Sequence, residues 1–175
     1  MSDYQYLKQR KAMQFNVKEP YFLKTHLKIL NVVDGDGVIV ENIFNKEQEE
    51  VRFLGIDAPE IKPCNKLLQD ERETHVAGQL LMELGRMAHK YLLKLAPPET
   101  PVTLALEKEN HLDSYGRTLA YVYLSDGKCL NEKMVADGYS KPYNLIVCSQ
   151  LSNFQKLNSI AKKKKLGLYN IVKIF

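Results

Sequence analysis

Between residues 22 and 124 the chain carries five short runs of Val, Ile, Leu and Phe, with one long segment of helical period set between the third and the fourth. That order constrains the fold more than any other feature. The first three runs, 27–33, 38–44 and 50–56, are separated by Asp-Gly and Asn-Lys turn signals and predict a three-stranded meander. From 73 to 96 the period changes: Ala77, Leu80, Leu81, Leu84, Ala88, Tyr91, Leu92 and Leu95 recur at helical spacing until Pro97 and Pro98 stop the pattern. Strand patterns resume at 102–106 and 118–124, followed by the turn Asp126-Gly127. A short helix is expected over 131–137, ended by Gly138, and Leu151, Phe154, Leu157 and Ala161 mark a last amphipathic helix. Five antiparallel strands with a helix after the third and more helices after the fifth predict an α+β domain with a mostly β core: a five-stranded OB-type barrel with about three packed helices.

A length of 175 residues suits one core, so residues 21–175 are expected to form a single domain. Residues 1–20, with Lys8, Arg10 and Lys11 among Tyr and Gln, read as a mobile arm or one short helix before Pro20. The apolar fraction of 45% and charged fraction of 26% exclude a disordered or fibrous chain. The net charge of +4 fits a polyanionic partner without establishing one. The distribution says more, because from residue 151 onward there are six lysines and no acid. Such a block reads as a solvated face or as cations at a helix C-terminus, with a phosphate-contact patch as the alternative.

The three cysteines, Cys64, Cys129 and Cys148, show neither C-x-x-C nor Cys/His ligand spacing, so no zinc site or disulfide framework is expected. No run has the length of a membrane span, and residues 1–20 lack the apolar core of a signal peptide. As written the chain has no export signal. Its compartment stays open, since a leader is readily lost from a sequence of this kind. Nothing in the chain demands more than a monomer.

Three segments have the residue types for chemistry. Asp34-Gly35-Asp36-Gly37 reads as a hairpin turn on its own; it is not an EF-hand loop, because Val38 and Asn45 fall where that loop needs oxygen ligands. If Asp36 binds metal, its co-ligands come from elsewhere. In the second segment, 52–60, a strand pattern runs into Asp57, Pro59 and Glu60. Asp57 and Glu60 serve equally well as turn residues. Arg52 is harder to explain locally, since on a continuous strand it shares a face with Leu54 and Ile56 and needs an anionic partner. Pro59 biases Ala58 toward an extended conformation, which lets its carbonyl act as a neutral oxygen ligand. The third segment, Asp113-Ser114-Tyr115-Gly116-Arg117, is a polar turn that puts a second guanidinium at the mouth of a strand. Two planar guanidinium forks are suited to facing one phosphate.

Together, in this order and spacing, the three segments resemble the staphylococcal nuclease (thermonuclease) family. The likeness extends from about Phe22 to Tyr169 and takes in Gly116-Arg117-Thr118-Leu119-Ala120-Tyr121-Val122-Tyr123. The resemblance implies that Asp36, Asp57 and the Ala58 carbonyl bind calcium, that Glu60 is the general base, and that Arg52 and Arg117 hold the phosphate. It implies that Asp113, Tyr115 and Tyr143 line the nucleotide pocket. The activity it implies is calcium-dependent hydrolysis of DNA and RNA, leaving 3′-phosphate ends; a non-catalytic nucleic-acid or protein-binding module on the same fold is the alternative. Two departures stand out: Gly37 and Ala58 occupy positions where the family usually has threonine. Glycine at position 37 is expected to loosen the turn that carries Asp36.

Overall fold

The computed structural model describes residues 21–175, so the arm expected over 1–20 lies outside the described residues. Strands β1 (Tyr21–Val32), β2 (Gly37–Asn42), β3 (Gln48–Phe53), β5 (Pro101–Glu107) and β6 (Thr118–Leu124) close into a barrel in the order β1-β2-β3-β6-β5. The meander β1-β2-β3 is antiparallel as expected. The closing pair is not: β3 runs parallel to β6, because the chain leaves the barrel after Phe53 and re-enters it from the far side. β1 is longer than the 27–33 run and serves two neighbours, β5 with its first half and β2 with its second. The register shift between Lys24 and Leu27 falls at His26, whose φ is +63°, so the strand bends where it changes partner.

Inward-pointing Ile29, Val38, Val40, Val51, Phe53, Leu104 and Val122 fill the barrel. The helix expected over 73–96 is present as α2 (Gly78–Leu95), starting later than the pattern indicated, and a further helix that no pattern announced, α1 (Asn65–Thr74), precedes it. The break is built from His75 in the left-handed conformation and from Glu71, whose carboxylate accepts the Gly78 N–H at 2.8 Å. Ala77, which precedes α2, and Leu80, within it, both expected on the buried face, are exposed. α2 buries Ala88 and Leu92 against the barrel and Leu81 and Leu84 in a second cluster with Leu67, Leu168, Tyr169 and Phe175.

Helices α3 (Leu130–Ala136) and α4 (Leu151–Lys164) follow the fifth barrel strand, and a 3-10 turn spans Gly167–Asn170. That makes four α-helices among the described residues. Buried Asn131 on α3 spans the seam of the barrel: its amide donates to the Leu54 and Ala120 carbonyls, and its oxygen accepts the Val122 N–H. Lys162, Lys163 and Lys164 are exposed on the last turn of α4, where the backbone dipole favours cations. Among the described residues no helix is long and apolar enough to cross a membrane.

Candidate functional site

Register brings the candidate residues to one end of the barrel. Gly37 pairs with Arg52 across β2 and β3, and Arg52 pairs with Leu119 across β3 and β6, so Asp36, Arg52 and Arg117 come to neighbouring positions. The Phe53 N–H fastens this corner by donating to the Asp36 carbonyl at 2.8 Å. β3 stops at Phe53 and the chain turns at Leu54-Gly55, so Arg52 does not share a strand face with Leu54 and Ile56. It lies between buried Val51 and Phe53 instead. After the turn, the two-residue strand β4 (Ile56–Asp57) pairs antiparallel with β7 (Lys141–Pro142) and holds Asp57 beside the barrel mouth.

The carboxylates are held by cations. Asp36 and Asp57 are 4% and 3% exposed, which a charged group tolerates only when paired. Arg52 supplies the pairing: its Nη2 donates to Asp57 Oδ1 at 2.9 Å, and its Nη1 makes an ion-pair contact with Asp36 Oδ1. That Nη1 is buried and has no hydrogen bond. The second Asp36 oxygen accepts the Ala58 N–H at 2.5 Å, so Ala58 meets Asp36 through its N–H, and its side chain is buried outside the cleft. Asp34, which reads from sequence as a turn residue only, accepts the Asp36 N–H at 3.1 Å. Burial raises the Asp34 pKa above its ordinary value, against the opposing fields of Arg52 and Arg117. Asp34 also crowds Gly37: a Cβ there would lie 2.9 Å from Asp34 Oδ1, so a larger residue requires that carboxylate to shift.

On the opposite wall, Asp113 and Arg117 organise one loop. The Asp113 carboxylate accepts the Tyr115 and Arg117 N–H groups, each at 2.9 Å, and Arg117 Nε at 2.7 Å. Burial works against the Asp113 charge, but the bonds from Arg117 and Tyr115 outweigh it and hold the pKa below the ordinary carboxylate value. The Arg117 guanidinium lies 5.7 Å from the centre of the Tyr115 ring, which is 85% exposed. Tyr143 is placed by its N–H bond to the Gly55 carbonyl at 2.9 Å. One cleft of about 770 Å³ is lined by Asp34, Asp36, Arg52, Asp57, Glu60, Asp113, Tyr115, Arg117 and Tyr143. Every side chain singled out from the sequence therefore reaches one place.

A further cation was not anticipated. Lys66, on the first turn of α1, lies 3.2 Å from Asp57 Oδ2, 3.3 Å from Glu60 Oε1 and 3.1 Å from Asp70 Oδ2. Burial disfavours its charge, but the three carboxylates win and raise its pKa above the lysine value. Lys141 stands 3.9 Å from the same Asp57 oxygen. Among the described residues no group of three or more His, Cys, Asp or Glu side chains is arranged to hold a metal ion.

Fold and cleft define an OB-type barrel with a mixed carboxylate and guanidinium site at one mouth. Residues 50–171 match the family described as Staphylococcal nuclease homologue. The chain belongs to this family. It is 31% identical over 167 residues to the uncharacterized protein MJ1439 of Methanocaldococcus jannaschii, covering 85% of this chain and 75% of that one. It is 31% identical over 124 residues to endonuclease YncB of Bacillus subtilis, covering 67% of this chain and 50% of that protein. Identity to the thermonuclease of Staphylococcus hyicus is 29% over 121 residues, 65% of this chain and 57% of that enzyme. The chain thus spans between half and three-fifths of these two nucleases.

Proposed function

We propose that this chain is a calcium-dependent nuclease that hydrolyses phosphodiester bonds of DNA and RNA and leaves 3′-phosphate ends. The observation that carries the reading is the convergence of Asp36, Arg52, Asp57, Glu60 and Arg117 on one cleft. A phosphodiester resists attack because its own charge repels nucleophiles, so a catalyst must neutralise that charge and deliver a deprotonated water. Asp36 and Asp57 fit a hard divalent cation: they are two nearly buried carboxylates on either side of one guanidinium, and calcium accepts such oxygens together with carbonyl and water ligands. The Ala58 carbonyl is the remaining protein ligand in this reading. Bound there, calcium supplies Lewis-acid polarisation of phosphate oxygens.

The chain's own side chains do the rest. Arg52 and Arg117 offer planar forks to the phosphate oxygens and neutralise charge as it develops. Glu60, partly exposed beside Lys66, takes the proton from the attacking water. Tyr115 and Tyr143 stack on bases, and Asp113 keeps the Arg117 loop in shape. Contacts of this kind address phosphate and base faces rather than base edges, so cleavage should show little sequence preference. Digestion of plasmid and of RNA with calcium, with EGTA and by Glu60→Ala tests the proposal. EGTA should abolish cleavage and the mutant should lose about 10²–10⁴ in rate. Cleavage that ignores EGTA, or a fully active mutant, would sink the mechanism; binding without any cleavage would favour the module reading.

A further inference from the structure

We propose that Lys66 is the resident counter-cation of the site, a positioning residue that holds Asp57 and Glu60 together and competes with a divalent cation for Asp57. The proposal rests on the nuclease reading above and adds to it a residue that neither the sequence motifs nor the family resemblance singled out.

Local helical preferences do not account for a lysine at this position. Lys66 is the second residue of α1, whose first turn contains no acid, and a helix N-terminus disfavours cations. Its pairing with Asp70 four residues on has the basic residue first, the poorer orientation for a helical ion pair. What holds the ammonium is therefore tertiary. It touches carboxylates from β4, from the segment after β4 and from α1 itself, all within 3.3 Å. With Arg52 on Asp57 Oδ1 and Lys66 on Asp57 Oδ2, both oxygens of this carboxylate face protein cations. A dication that uses Asp57 must displace one of them or share with it, and each added positive neighbour weakens its binding. Glu60, by contrast, has Lys66 as its ion-pair partner among the described residues, so loss of the ammonium leaves that carboxylate free to swing.

Lys66→Met keeps the aliphatic stem and removes the charge. Calorimetric titration of calcium, without nucleic acid, should show binding at least fivefold tighter than wild type. On single-stranded DNA with saturating calcium, the same variant should lose at least tenfold in kcat with KM changed less than threefold, and Lys66→Arg should recover most of the loss. Asp70→Asn supplies a test of opposite sign: it leaves Lys66 to the two cleft acids, so calcium should bind more weakly than in wild type. Melting curves of both variants establish that they are folded. Should Lys66→Met misfold, the Asp70→Asn titration alone decides. Unchanged or weaker calcium binding by folded Lys66→Met, undiminished kcat, or tighter calcium binding by Asp70→Asn would each overturn the role of Lys66. A wild-type protein that neither binds calcium nor cleaves would instead overturn the nuclease reading.

Discussion

At the scale of single residues, the position of Glu60 depends on a glycine that touches no substrate. A Cβ on Gly85 of α2 would stand 2.6 Å from the carbonyl oxygens of both Pro59 and Glu60, which are backbone atoms without freedom to move aside. Alanine would gain about 1 kcal/mol of helix propensity, yet overpacking against fixed backbone costs about 1–3 kcal/mol. We therefore expect Gly85→Ala to lower the midpoint of urea unfolding and to reduce cleavage as the Glu60 backbone is displaced. The acids and arginines of the cleft were legible in the sequence because they sit in three short segments of unusual composition. Lys66 was not, because its meaning comes from three carboxylates that only the folded chain brings to it. The crowding at Gly37 was hidden for a related reason: the Asp34 carboxylate comes within 2.9 Å of a Cβ at this position only in the folded turn.

Elements differ in how plainly their residues announce them. The barrel strands were readable because apolar residues recur between strong turn signals, and β6 has the bounds expected for it. Helix α1 was hidden because it buries only Leu67 and Asp70, too little for a periodic signal, and is held instead by the Cys64 cap and by Glu71. β4 and β7 are two residues each, below what any pattern can show, yet they place Asp57. The polar composition of 113–117 marks a turn between β5 and β6, and the Asp113 carboxylate organises it. Its folded-state pKa lies below the ordinary 3.8, so the stability it contributes is present above that value and is lost as pH falls through the lower, folded-state value. Asp113→Asn should accordingly unfold at lower urea than wild type at pH 7, and the two midpoints should converge in acid, below pH 3.8. A difference that persists unchanged into acid would assign the loss to the hydrogen bonds alone.

Across the whole molecule, the site is a junction between parts that are distant in the chain. Asp36 leads into β2, Arg52 is the penultimate residue of β3, Asp57 lies on the β4–β7 pair, and Lys66 comes from a helix that belongs to the second apolar cluster. A ligand that binds between Asp36 and Asp57 therefore bridges the start of β2 and the β4–β7 pair, which only folding brings together, and so binds only the folded state. Linkage then fixes the size of the effect: calcium at about 100 times its Kd adds about 2.7 kcal/mol, which for a chain of this length raises Tm by about 5–11 °C. EGTA should reverse the shift, and Asp36→Asn should nearly abolish it. Magnesium is smaller and gives up its waters reluctantly, so at equal concentration it should raise Tm less. A calorimetric melt that is indifferent to calcium would show that these carboxylates serve only as partners of Arg52 and Lys66, and the catalytic reading would lose its metal.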